Sequence, residues 1–273
     1  MPSIKTLLHN TEGLGAASKL DLEVLLAHCL QRPRSYLYAW PEQEVEPRVL
    51  LTFESLLGQR AQGTPVAYLT GHKEFWSLDL CVDANTLIPR PETETLVECA
   101  LSLSLPGTAR AADWGTGSGA IALALKSERP AWQVIASDTS AAALTVAARN
   151  ADRLQLCVLT VLADWGSAYA DSSLDLVVSN PPYIAPEDPH LAQGDVRCEP
   201  AGALVADQQG YAALFRVIDE AYRVLAPGGW LLLEHGYEQA ETVQQRLRET
   251  GFVGVQSWPD LAGIPRVSGG RLL

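Results

Sequence analysis

Asp113-Trp114-Gly115-Thr116-Gly117-Ser118-Gly119 joins a short apolar run that starts at Arg110 to a segment of helical spacing that continues to Glu128. The run reads as a strand, and the glycines after it let the backbone turn tightly and approach a ligand before the helix begins. Asp138 ends the next strand, 19 residues beyond Gly119, where a carboxylate can accept hydrogen bonds from ribose hydroxyls. Loop and carboxylate together point to a nucleoside cofactor. Gly115, Gly117 and Ala120 also satisfy the relaxed dinucleotide pattern G-x-G-x-x-G/A, so this loop alone leaves NAD and S-adenosylmethionine both open.

Outward from the loop, strands alternate with helices. The spacing predicts strands over 110–114, 133–138, 156–162, 174–179, 230–234 and 253–258, with helices over 119–128, 140–154, 211–225 and 238–250. That rhythm is the signature of an α/β domain with a parallel sheet and helices on both faces. The segment 266–273 is placed to add an edge strand, and 186–210 is a long loop of the kind that is functional or mobile.

Toward the amino end the pattern is helical: Leu7 and Leu8, then Leu22, Leu25, Leu26, Cys29 and Leu30, then Val49, Leu50, Phe53, Leu56 and Leu57. Breaks fall near Gly13-Leu14-Gly15, at Pro33, around Pro41 to Pro47 and at Gly63-Thr64-Pro65. We expect a small helical domain over 1–73, a β-hairpin over 74–90 turning at Asp83-Ala84-Asn85, and an α/β domain over 91–273 whose first helix runs from Pro91 to about Leu105.

Composition narrows the chemistry. At 47% hydrophobic and 19% charged, the 273 residues are those of a globular protein with room for a sizeable core, and no apolar run reaches the length of a membrane span. The amino terminus lacks a signal-peptide pattern, so the cytoplasm is expected. The five cysteines lie far apart, with no C-x-x-C pair and no histidine at ligand spacing; we expect reduced thiols and no metal site. A net charge of -12 disfavours a nucleic-acid backbone as partner.

The strand over 174–179 runs into Asn180-Pro181-Pro182-Tyr183, and two prolines end it in a rigid loop. In open α/β sheets ligands bind outside the carboxyl ends of strands. A planar NH2 group is a poor nucleophile because its lone pair is delocalised. The Asn180 side-chain oxygen and the Pro181 carbonyl form an acceptor pair suited to both N–H bonds of such a group, favouring pyramidalisation, with Tyr183 covering its face. This arrangement has a use in methyl transfer and none in hydride transfer. Asp164-Trp165, after the third strand, offers a carboxylate and an indole to an adenine. Arg90, Glu92 and Glu94 could line the mouth of the site, although carboxylates in a first helical turn also suit the helix dipole. Arg197 and Glu199 could pair to order the long loop, and His235 is read as structural.

These residues resemble the class I, seven-stranded S-adenosylmethionine methyltransferases and, within them, the PrmC/HemK family, which methylates the glutamine amide in the Gly-Gly-Gln motif of peptide chain release factors. The resemblance covers nearly the whole chain: Pro65 to Phe75, I-P-R-P-E-T-E from Ile88 to Glu94, D-W-G-T-G-S-G-A-I from Asp113 to Ile121, Asn180 to Tyr183, Gly194 to Pro200 and L-L-L-E-H-G from Leu231 to Gly236. It departs at Ser118, Ser137 and Cys198. The resemblance implies a Rossmann-like seven-stranded sheet with a reversed last strand, preceded by a helical bundle and hairpin. It implies S-adenosylmethionine held by Gly115, Thr116, Gly117, Ser118, Gly119, Asp138, Asp164, Trp165 and Asn180. The glutamine would lie among Asn180, Pro181, Pro182 and Tyr183, with Arg90 and Glu92 on the substrate side. A release factor is the expected substrate, the chain acting as a monomer without membrane or stable nucleic-acid partner. The rival readings are an amino-group methyltransferase of nucleic acid and, through the glycine loop alone, an NAD-dependent oxidoreductase.

Overall fold

The computed structural model describes residues 1–9 and 18–273, so the expected break near Gly13-Leu14-Gly15 lies outside the described residues. The chain divides into two compact units, one of Met1–His72 with Ala192–Cys198, the other of Lys73–Leu191 with Glu199–Leu273.

The first unit contains α1 (Ile4–His9), α2 (Lys19–Leu30), α3 (Arg34–Ala39), α4 (Pro47–Ala61) and α5 (Val66–Thr70). A capping box opens α2: the Asp21 N–H donates to Ser18 Oγ at 3.2 Å and the Ser18 N–H to Asp21 Oδ2 at 3.0 Å. Pro47 at the first position of α4 gives up an N–H that would have no helical partner. Leu25, Leu26, Leu37 and Phe53 are buried together, each such side chain contributing roughly 1.5–3 kcal/mol of transfer free energy. Arg60, at the end of α4, donates to Asp21 at 2.9 Å and to Asp195 at 2.8 Å, which ties the distant segment Ala192–Cys198 into this unit. Arg197 donates to the Gln62 carbonyl at 3.2 Å and the Cys198 thiol to the Gly63 carbonyl at 3.4 Å. Within the second unit the Glu199 carboxylate pairs with Arg90.

A two-stranded sheet follows, β1 (His72–Phe75) and β2 (Leu78–Cys81), which from Lys73 onward belongs to the second unit. Its turn is at Trp76-Ser77, not at Asp83-Ala84-Asn85 as expected from turn chemistry. Both turn residues have positive φ, 53° and 58°, and carboxylates, one distant and one local, accept from their backbone N–H groups. The Trp76 N–H donates to Glu94 Oε1 and the Ser77 N–H to Glu74 Oε1, while the indole reaches Glu128. Asp83 instead makes a local turn by accepting from the Asn85 N–H at 2.9 Å. A single 3-10 turn at Pro91–Thr93 precedes α6 (Glu94–Ser102), so the helix is shorter than expected at both ends.

β3 (Arg110–Trp114), α7 (Ala120–Glu128), β4 (Gln133–Asp138), α8 (Ala141–Leu154), β5 (Leu159–Leu162), β6 (Leu174–Ser179), α9 (Ala212–Val224), β7 (Leu225–Glu234), α10 (Ala240–Thr250), β8 (Val253–Pro259) and β9 (Pro265–Arg271) follow. The seven strands run in the order β5-β4-β3-β6-β7-β9-β8, parallel except for β9, which is antiparallel to both neighbours. The last strand is thus reversed, and it lies inside the sheet; the edge expected for it belongs to β8. Successive residues alternate between two cores. Ala111, Leu176 and Val178 pack on the side of α6 and α7, and Ala112, Val177 and Leu231 on the side of α9 and α10. Strand order reverses beside β3, which opens a crevice at the carboxyl ends of β3 and β6.

Candidate active site

The parallel ladder sets the floor of the crevice. Trp114 is level with Ser137 on one side and Ser179 on the other, so the loops after β3, β4 and β6 leave the sheet together. The Gly115 and Thr116 N–H groups both donate to the Ser137 carbonyl at 2.9 Å, and the Ser179 hydroxyl donates to the Trp114 carbonyl at 2.7 Å. Gly115 and Gly117 have φ of +73° and +55°, the left-handed region that a side chain disfavours. A Cβ on Gly115 would meet the Trp165 ring at 3.4 Å, so ring and loop face each other closely.

A cavity of about 210 Å³ opens here, and Gly115, Gly117, Asp138, Trp165, Asn180 and Pro182 are in its wall. Asp138 accepts from the Gly117 N–H at 2.9 Å through one oxygen and from the Ser140 N–H at 2.8 Å through the other. A carboxylate offers about four lone-pair sites, which leaves acceptor capacity for a ligand. Thr116, Ser118 and Gly119 are not in the wall; they build the loop from behind. The Thr116 hydroxyl donates to Asp113 at 2.6 Å, and Gly119 packs on Leu123 and Ala147. Buried Asn150 donates to the Ser118 carbonyl and exchanges hydrogen bonds with the Cys81 backbone, which couples the loop to β2. Burial pushes the Asp113 carboxyl up to about 7, against the hydrogen bonds from Thr116 and Ala122.

Asp164 is exposed, caps the short 3-10 helix Trp165–Ala168 and pairs with Arg216 at 2.8 Å; its neighbours Ala163 and Trp165 reach the cavity, and it does not. Arg90 is committed to Glu199, whose other oxygen accepts from the Ile88 N–H at 3.2 Å. Glu92 is exposed beside it, and Glu94 is used by the hairpin turn.

Asn180 Nδ2 donates to Thr93 Oγ1 at 3.2 Å, and Pro181 is buried behind it. The Tyr183 hydroxyl donates to Glu234 at 3.2 Å, and its backbone carbonyl accepts from Gln239 at 3.1 Å. Burial first, and then the Glu234 charge, push the phenol above its ordinary range. Gly210 approaches the same carbonyl so closely that an added Cβ would stand 2.2 Å from it. His235 is structural: its Nδ1 must donate to the Gly236 carbonyl at 2.9 Å, so Nε2 accepts from the Ser268 hydroxyl at 2.7 Å. Burial lowers its pKa, which suits a neutral ring.

Sequence reasoning missed Asn85, Thr86 and Leu87, and Pro200 with Gly202 and Ala203, all of which line the cavity. It also missed Thr93, Gly210, Glu234 and Gln239 around the Asn180 loop. Among these, the available signal was an acidic residue at the end of an apolar strand, Leu231-Leu232-Leu233-Glu234.

Residues 11–71 match the PrmC N-terminal domain and residues 92–195 the methyltransferase small domain. The chain is 46% identical over 256 residues to a release factor glutamine methyltransferase of Shewanella oneidensis, covering 93% of this chain and 90% of that protein. It is 46% identical to one of Xylella fastidiosa over 273 residues, covering 99% and 98%. Among solved structures, a methyltransferase from Pyrococcus furiosus superimposes with a TM-score of 0.56 over 80% of this chain and 98% of that one; at 18% identity the likeness concerns the fold. Matching relatives of this kind along nearly its whole length, the chain belongs to the family of release factor glutamine methyltransferases.

Proposed function

We propose that the protein transfers a methyl group from S-adenosylmethionine to the side-chain amide nitrogen of the Gly-Gly-Gln glutamine of peptide chain release factors. The observation that carries this reading is the position of Asn180, whose carboxamide stands at the carboxyl end of β6 in the wall of a cavity shared with Gly115, Gly117 and Asp138. The residues fit the cofactor. Two glycines give close backbone approach, Asp138 retains lone pairs for hydroxyls, and Trp165 offers an aromatic face. When bound, S-adenosylmethionine would supply an electrophilic methyl on a sulfonium and leave as S-adenosylhomocysteine, one amide proton being released as the N–C bond forms. Asn180 and the Pro181 carbonyl then accept the two N–H bonds of the glutamine amide, Tyr183 covers it, and orientation supplies most of the rate. His235 has both ring nitrogens engaged and takes no proton. The helical unit is the docking surface for the release factor in this reading, and the net charge of -12 argues against a nucleic-acid substrate.

Methyl-labelled cofactor should label a release factor, and should label neither the same factor with its Gly-Gly-Gln glutamine replaced nor DNA. Label on DNA or on the replaced factor would overturn the substrate. Asn180→Ala should lower single-turnover rate by about 10²-fold or more, as loss of one positioned hydrogen-bonding group does, with a smaller change in cofactor affinity.

A further inference from the structure

Part of the cavity wall comes from loops that leave the carboxyl ends of strands, and two pieces of it do not. Thr86 and Leu87 lie before α6, and Pro200, Gly202 and Ala203 lie in the long connection between β6 and α9. Neither piece is placed by the ladder of the sheet, so each has to be held by other means.

The second piece is held at its far end by backbone groups. The Ile184 N–H donates to the Leu204 carbonyl at 3.0 Å and the Ala206 N–H to the Ile184 carbonyl at 2.9 Å, which joins it to the chain just after Tyr183. Its near end is held by a side chain. Glu199 Oε2 accepts from the Ile88 N–H at 3.2 Å and Oε1 pairs with Arg90, with the Glu199 side chain 0% exposed. Glu199 stands directly before Pro200, and Ile88 directly after Leu87, so one carboxylate joins the two pieces at residues adjoining the cavity. Pro200 has φ of −59°, fixed by its ring, and the 3-10 turn Ala201–Ala203 begins at once. The Ala203 N–H closes that turn on the Pro200 carbonyl at 2.9 Å, so a shift of Glu199 passes on to Gly202 and Ala203.

Taking a carboxylate out of water is unfavourable unless a cation and hydrogen bonds replace the solvent. Backbone bonds alone can fix a loop, as they do at the far end of this one, so the fold by itself gives no reason for the buried charge. A ligand enclosed by these walls must enter and leave, however. Arg90 is 32% exposed at its side chain, so water can take over its hydrogen bonds when the two pieces part. In the function proposed above, on which this inference rests, the cavity holds S-adenosylmethionine before the reaction and S-adenosylhomocysteine after it. We infer that Arg90 and Glu199 are positioning residues of the cofactor site, whose pairing closes the two wall pieces on the bound nucleoside and sets how slowly it leaves. Arg90 acts through the wall in this role and not as a contact to the release factor.

Calorimetric titration with S-adenosylhomocysteine, and a chase of the labelled compound for its dissociation rate, test this without turnover. Glu199→Gln keeps the shape and an acceptor for Ile88 and removes the charge facing Arg90. It should weaken binding by about tenfold or more, as loss of a charge-assisted hydrogen bond does, mostly through faster dissociation. That factor should exceed the drop in single-turnover methylation at saturating cofactor. Arg90→Gln should show the same pattern, and in a Glu199→Gln background it should cost less than about threefold further, because both act through one pair. Arg90→Lys keeps a cation beside the carboxylate without the guanidinium fork; it should weaken binding about threefold or more and carries the test if the other variants do not fold. Binding within about twofold of wild type in every folded variant, or a loss confined to release-factor KM in Arg90→Gln, would overturn the inference while leaving the function standing. Failure of the wild-type protein to bind S-adenosylhomocysteine would overturn both.

Discussion

A carboxyl group that titrates near neutrality inside a protein makes folding depend on pH. Glu234 and Asp113 are both raised by burial, to about 7 from ordinary values of 4.5 and 3.8. For a raised acid, the native state holds a proton that the unfolded chain has already released. Its stabilising effect is complete below the unfolded pKa and is lost as pH rises through the folded one. Glu234→Gln has nothing to titrate at this position. Its urea midpoint should therefore improve relative to wild type as pH rises from about 4.5 to about 7, and the gap should level off above that. The gain is of the order of a few kcal/mol, each pKa step being worth about 1.4 kcal/mol. A gap that stays constant across this range would show that Glu234 titrates normally.

The loops after β6 and β7 brace each other through backbone groups. Gln239 accepts from the Gly236 N–H at 2.8 Å and donates to the Tyr183 carbonyl, and Gly210 fits against the same carbonyl with φ of +88°. Gly210→Ala brings both left-handed strain and a backbone clash, each disfavoured position costing of order 1–3 kcal/mol. A thermal melt should register a loss of about 2 kcal/mol or more, and turnover should fall because the Asn180-Tyr183 segment has to move. Which parts of this were legible in the sequence follows from range. The bounds of β3, β4 and β6 are readable to the residue because an apolar run, then glycine, acid or proline, encodes them locally. Asn180 and the glycines are readable for the same reason. Thr93 and Glu234 are not, since their partners lie 87 and 51 residues away. The hairpin turn was misplaced because Glu94 and Glu74 override the stronger turn signal at Asp83-Ala84-Asn85. The inner position of β9 has no local signature at all.

At the scale of the whole chain, the helical unit is held by charge as well as by its apolar core. Arg60 is 13% exposed at its side chain and serves Asp21 and Asp195 together. Asp195→Ala removes the partner on the distant segment, a loss of about 1–2 kcal/mol that lies between the values for exposed and buried pairs. Trypsin should then cut after Arg197 faster than in wild type, with cleavage elsewhere unchanged. Equal rates would mean that Arg197 and Cys198, through Gln62 and Gly63, hold the segment without Asp195.

The inclusion of Ala192–Cys198 in the helical unit also sets a timetable for synthesis. Met1–His72 leaves the ribosome early, yet its last piece emerges only after the glycine loop and Asn180 have been made. At about 5–20 residues per second the wait is roughly 6 to 25 s. Through that interval the Asp21–Arg60 pair is available to α2 and α4, but Asp195 has not yet been translated. The unit that starts first on the ribosome is completed only after four of the seven strands of the sheet have been made.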